Sequence, residues 1–217
     1  MKTIKFTLAI VATALSLFST GQNSYAQRNN CVSNNLISDI PKSPLNEEEK
    51  KGLLLMREEE KLARDVYITL ADTWGIPVFS NISRAEQTHT DAVKTLLDRY
   101  NLEDPVKNEE VGVFTSPEIK KLYDDLVQKG QKSLMDALVV GATIEDLDIK
   151  DLNELIKESD NEDIIVTYNN LNKGSRNHMR AFSRQISNRG GSYDPQFISE
   201  REYQAILNSP HERGFIR

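Results

Sequence analysis

The chain carries a single cysteine, Cys31, among 217 residues. One thiol cannot close an internal disulfide, and no cysteine pair exists to build a rubredoxin-like iron centre. Histidine is nearly as scarce, with three residues, and tryptophan occurs once, as Trp74. There is no Gly-x-Ser-x-Gly turn and no glycine-rich phosphate loop, so a serine nucleophile of that type and a cradled nucleotide have no support. Basic residues are outnumbered, 27 against 33 acidic, for a net charge of −6. No basic patch of the kind nucleic acid requires stands out. No segment shows the two-residue alternation of a strand.

The first 27 residues, "MKTIKFTLAIVATALSLFSTGQNSYAQ", place two lysines before a short apolar run and end it on small residues. That is the pattern of a secretory signal peptide, residues 1–26, cleaved before Gln27. The run lacks the length and the basic stop-transfer flank of a membrane anchor, and no second apolar span follows. "RNNC" lacks the small apolar residues that precede a lipidated cysteine. The expected location is outside the cytoplasm, periplasmic or secreted. Loss of Lys2 and Lys5 with the leader leaves 25 basic residues against 33 acidic, a net charge of −8.

Residues 27–45 are polar and aperiodic and read as a linker. Residues 46–208 form one helical domain, and 209–217 a C-terminal tail. The first long helix opens at "PLNEEEKKGLLLMREEEKLARDVYITLADTWG", with Asn46 as cap, acids in the first turn and Gly75 as terminator. The second runs from about Ser80 to Tyr100. A longer connection, 101–116, leads to a short helix that starts at Ser116-Pro117 and ends at Gly130. A third long helix follows Ser133, a fourth ends at Gly190-Gly191, and a short last helix is capped by Ser199. Four long helices with one long crossover predict an all-α fold, a four-helix bundle with the short helix in the crossover.

Each long helix has an apolar stripe interrupted by polar residues. On the first it is Leu55, Glu59, Leu62, Val66 and Leu70. Glu58 and Glu60 lie about 100° to either side of Glu59 and are second choices. On the second helix the stripe is Ile82, Glu86, His89, Val93 and Leu96. The third carries Glu145 and Asp148 between Leu138 and Leu152, and the fourth carries Ser175 and His178 between Leu171 and Phe182. His211, in "SPHERG", reads as a surface residue. Tyr67, Tyr168 and Trp74 read as packing residues whose polar ends reach a partner, with an electron relay the alternative for the two tyrosines.

Taken singly, an acid on such a stripe is an ordinary border residue. Taken together, several buried carboxylates are prohibitive as anions without counter-charge. Two divalent cations bring +4, which Glu59, Glu86, Glu145 and Asp148 balance, with His89 and His178 as neutral nitrogen ligands. Mixed carboxylate–imidazole donors suit iron or manganese, and zinc also fits.

This inventory resembles the ferritin-like di-metal carboxylate proteins, which take a Glu from each of two helices and a Glu-x-x-His from each of the other two. "EQTH", Glu86 to His89, is one such motif. "SRNH" departs from the other, since Ser175 stands where its glutamate belongs; Asp148 is the proposed replacement. More closely, "REEEKLARDVY", "RAEQTHTDAV", "GVFTSPEIKKLYDDLV" and "GSRNHMRAF" resemble an uncharacterised bacterial and archaeal ferritin-like family, over about residues 50–205. The resemblance implies a ferritin-like bundle, a ferroxidase or peroxide- or oxygen-reducing activity, dioxygen or peroxide as substrate, an external electron donor, and a candidate homodimer. The alternative is a non-catalytic helical module with a structural metal or a protein-binding role. No nucleic-acid partner is expected, and no membrane after cleavage of the leader.

Overall fold

The computed structural model describes residues 37–216. The expected signal peptide, Cys31 and linker residues up to 36 lie outside that range. Six helices make up the described fold: α1 Glu47–Trp74, α2 Pro77–Tyr100, α3 Pro117–Gly130, α4 Leu134–Glu158, α5 Glu162–Ser187 and α6 Glu200–Asn208. There is no strand among the described residues, so the fold is all-α. No described helix is long and apolar enough to cross a membrane.

The helix boundaries follow from local chemistry. Asn46 and Glu49 form a capping box at the start of α1, each side chain accepting the other's backbone N–H, at 2.8 and 3.0 Å. Glu49 also accepts the backbone N–H groups of Asp160 and Asn161, which ties the α4–α5 turn to the head of α1. Gly75 closes α1 at φ 63°, a left-handed conformation that favours glycine. Its early stop lets α2 begin at Pro77 rather than near Ser80: proline is pre-set for the first helical position and lacks the N–H that would go unpaired there. Ser116, Ser133 and Ser199 cap α3, α4 and α6 through their hydroxyls. Part of the expected linker is docked, since Ile37 is buried and Lys42 Nζ donates to the Arg99 carbonyl at 2.7 Å.

The four long helices pack in a closed cycle, α1 on α2 and α4, and α5 on α4 and α2; α3 lies against α1 and α4, and α6 against α5. The apolar core inside that cycle is split in two. One cluster holds Val66, Tyr67, Leu70, Phe79, Leu138 and Phe182. The other holds Leu53, Met56, Val93, Leu96, Leu152 and Tyr168. On every long helix, the residues between the two clusters include buried polar ones: Glu60, Glu86, Glu145 with Asp148, and Ser175 with His178.

The crossover 101–116 is clamped to α1 by residues that flank Glu60. Buried Arg57 pairs with Asp104 at 3.0 Å and with Glu109. Lys61 pairs with Asp65 and donates to the Glu110 and Val113 carbonyls at 3.0 and 3.1 Å. Arg64 holds the Glu109 carboxylate and carbonyl, both at 2.9 Å, and Asp65 accepts the Gly112 N–H. Arg57→Ala removes the cation from two acids. Because Asp104 and Glu109 keep some access to water, 21% and 53% exposed, the loss falls at or below the low end of the 3–5 kcal/mol of a fully buried pair, about 2–3 kcal/mol. Urea unfolding should report that loss, and limited proteolysis should find new cleavage within 101–116.

Candidate metal centre

The polar layer is built from one or two residues of each long helix. On α2, Glu86 and His89 are three residues apart and so share a face. Glu86 lies between two imidazoles: its Oε2 is 2.8 Å from His89 Nδ1 and its Oε1 2.8 Å from His178 Nδ1. Each histidine has a second carboxylate. Glu60 Oε2 is 3.2 Å from His89 Nδ1, and Glu145 Oε2 is 3.4 Å from His178 Nδ1. The two rings lie 5.5 Å apart at 26°. Two groups therefore form, Glu60–Glu86–His89 and Glu86–Glu145–His178. In each, one potential ligand atom per residue lies within 4.8 Å of the others, and Glu86 belongs to both.

The residues expected inward from the sequence do not all arrive. Glu86, His89, Glu145 and His178 meet as described. Glu59 belongs to neither group; Glu60 takes that place. The buried register of α1 is Leu53, Met56, Glu60, Ala63, Tyr67 and Leu70, one residue out of phase with the stripe through Glu59. Glu59 is half-buried on the flank, although its Oε2 is sealed and unpartnered. Asp148 is buried on a continuous α4 but lies in neither group; its nearest electrostatic neighbours are Glu60, Glu145, Glu59 and Glu86. Ser175 is buried and donates to the Leu171 carbonyl of its own helix at 3.3 Å.

Two further residues support the site: Tyr67, whose hydroxyl reaches a partner as the sequence suggests, and Gly174, which the sequence pattern does not single out. Tyr67 donates to Glu145 Oε1 at 2.6 Å and lies 3.2 Å from the Gly141 carbonyl, which fixes the carboxylate from behind. Tyr168, by contrast, has its hydroxyl buried without a partner. Gly174 faces His89: a Cβ there would sit 2.4 Å from the ring Nε2. A mid-helix glycine is worth roughly 1 kcal/mol less than alanine, and "KGSRNH" carried that signal of close approach.

The electrostatics are those of a site short of positive charge. Burial pushes the Glu60 carboxyl up to about 8, although His89 opposes the rise. Burial and the surrounding acids raise Asp148 well above its usual range, and burial also raises Glu145. Burial acts the same way on Glu86, but the His178 and His89 imidazoles outweigh it and hold Glu86 far below the ordinary range. For His178, burial is more than offset by Glu86 and Glu145, which lift it to about 10. Glu60 Oε1 and Asp148 Oδ2 are sealed without a hydrogen-bond partner, and Glu86 Oε1 and Glu145 Oε2 meet only the one His178 Nδ1 between them. Unpaired buried polar atoms are rare in folded proteins; here they gather at one level of the core, with a nitrogen and oxygen donor set that divalent transition metals accept.

The fold and the site define an all-helical protein with buried glutamate–histidine groups able to hold metal ions. Residues 49–210 match the family described as "Uncharacterized protein domain (DUF2202)", and the chain belongs to that family. It is 60% identical over 181 residues to "Uncharacterized protein MJ0754" of Methanocaldococcus jannaschii, covering 83% of this chain and 98% of that protein. The crystal structure of hypothetical protein MJ0754 from Methanococcus jannaschii superposes with a TM-score of 0.79 at 59% identity, covering 80% of this chain and 99% of that one.

The pKa directions set a sign for stability against pH. An acid raised from 4.5 to about 8, as Glu60 is, and a histidine raised from 6.5 to about 10, as His178 is, both bind more protons folded than unfolded. Stability from both is present at low pH and is lost as pH rises through those values. Glu86 acts oppositely, but only below its ordinary 4.5. Chelator-treated protein should therefore lose stability steadily from about pH 5 to pH 10, followed by thermal unfolding. Protein saturated with a divalent metal should show the reverse slope below neutrality, because metal ligation needs the deprotonated groups.

Proposed function

We propose that the chain is an exported, ferritin-like helical bundle holding two iron or manganese ions in its core, with ferroxidase or peroxide- or oxygen-reducing activity. The observation that carries the reading is Glu86, shared by two buried glutamate–histidine groups, with Glu60 Oε1 and Asp148 Oδ2 sealed and unpartnered at the same level. Glu60, Glu86 and His89 would hold one ion, and Glu86, Glu145 and His178 the other. Asp148 adds a fourth carboxylate at the same level, so Glu60, Glu86, Glu145 and Asp148 together balance two divalent charges. Two redox ions held there would supply electrons to dioxygen or peroxide.

The chain's own residues have defined parts. Glu86 would serve both ions; Tyr67 steadies Glu145 through its hydrogen bond and keeps the second group's carboxylate in place. The two hydrophobic clusters exclude water from either side of the layer. His89 and His178 are the partly open edge, with side chains 12% and 11% exposed, and small oxidants would enter there. Electrons would come from an external donor, since Cys31 cannot make a second iron centre. The leader "MKTIKFTLAIVATALSLFSTGQNSYAQ" supports work in the periplasm or outside the cell, and a homodimer fits the ferritin-like reading.

The test is stoichiometry. Protein purified without chelator should carry near two iron or manganese per chain by elemental analysis. Glu86→Ala should lose both ions because its carboxylate serves both groups. Glu60→Ala and Glu145→Ala should each lose one. Metal-free protein that stays empty when iron(II), manganese(II) and zinc(II) are added, with circular dichroism showing every variant folded, would overturn the reading. Loaded with iron(II), the wild type should consume dioxygen or peroxide and Glu86→Ala should not.

A further inference from the structure

A cleft of about 890 Å3 opens onto His89 and His178. Small-molecule sites occupy roughly 300–1,000 Å3, and a dioxygen or peroxide molecule fills only a small part of such a volume. The cleft runs between α2, the second half of α5, α6 and the tail that carries His211. Its lining departs from the chain's acidic balance. Acidic residues outnumber basic ones, 33 to 27, yet no aspartate or glutamate lines this cleft, whereas two arginines and three histidines do. Arg180 is already engaged: it pairs with Glu212 at 2.9 Å and donates to the Ile206 carbonyl at 2.8 Å. Arg184 is exposed, and its guanidinium has no partner among the described residues. Ile82, Ala181 and Leu207 supply apolar wall to the same cleft.

His178 and Arg184 are six positions apart on α5, about 9 Å along the axis at 1.5 Å per residue. A molecule that touches both ends must have an anionic group and an apolar body of about that length. We propose that this cleft binds a small organic carboxylate, its anion on Arg184 and its body along Ile82, Ala181 and Leu207 toward His178. Arginine suits the role, since its planar fork meets a carboxylate with two parallel hydrogen bonds. Binding itself needs no metal. Only the further step, that the bound acid lies beside a reacting centre, rests on the function proposed above.

Phenylacetate serves as the probe, phenylacetamide as its uncharged match. Titrations of the full chain, followed by calorimetry and by the histidine ring signals in NMR, are run on chelator-treated and on metal-saturated protein. Phenylacetate is expected to bind saturably in both forms and to shift the His178 and His89 signals of the chelator-treated one, with the amide clearly weaker. Arg184→Gln should weaken phenylacetate about tenfold, the loss of one charge-assisted contact, and leave the amide unchanged. Lys121→Gln, which removes an equal charge on α3, should leave both unchanged. No saturable binding at millimolar phenylacetate, equal binding to Arg184→Gln, or equal binding of acid and amide would each overturn the proposal. Binding that disappears with the metal and ignores Arg184 would overturn it too, by placing the carboxylate on the ion. Arg184-dependent binding to a protein that takes up no metal would uphold the cleft while the proposed function fails.

Discussion

The structure turns on a layer of like charge in the middle of its core. Glu60, Glu86, Glu145 and Asp148 are buried at one level, with only the His89 and His178 imidazoles to answer them. A carboxylate removed from water must be protonated, paired or bound to a cation. Without a cation the first two routes remain: burial favours the protonated forms of Glu60 and Asp148, and Glu86 lies between two imidazoles. Other buried acids in the same molecule have no such difficulty. Asp146 accepts the Tyr193 hydroxyl and the backbone N–H groups of Gln196, Phe197 and Ile198, and Asp163 is met by Tyr100 and Arg99. The contrast separates an acid used to pin a loop from a group of acids left open toward one another.

The segment "REEEKLARD" does two jobs on neighbouring faces of α1. Arg57, Lys61, Arg64 and Asp65 hold the 101–116 crossover, and Glu60 reaches the core layer from between them. What looks in sequence like a solvated charge run is largely buried. A lysine and two arginines with few accessible atoms are tolerated because each meets a carboxylate or several carbonyls. The crossover therefore steadies the helix that supplies one of the site's acids.

Much of this was legible before any coordinates. Asparagine and serine caps, Ser116-Pro117 and Gly75 mark helix ends by mechanisms that act within a few residues, so the element order follows directly. Glu86 with His89, and His178 alone, stand out because polar residues at helical spacing break clean apolar stripes. The exchange of Glu59 for Glu60 has a physical origin. "LLLMREEEKLA" offers apolar and acidic residues at several successive positions, so two phases of the helix, about 100° apart, bury comparable surface. Only the packing of α2 and α4 against α1 decides between them. Asp146 was invisible for a related reason: its partners lie some fifty residues further on, and no local pattern announces them.

The divided core has a consequence for how the molecule moves. Each long helix crosses the polar layer once, so the apolar contacts on one side reinforce those on the other only through a zone where like charges repel. Local opening follows contiguous packed units, and the two apolar clusters are separate units of that kind. The two ends can open separately, and amide exchange in the half around Phe79 and Phe182 is not bound to follow exchange in the half around Leu96 and Leu152. Whatever neutralises that zone also decides whether the four helices open as one body or two.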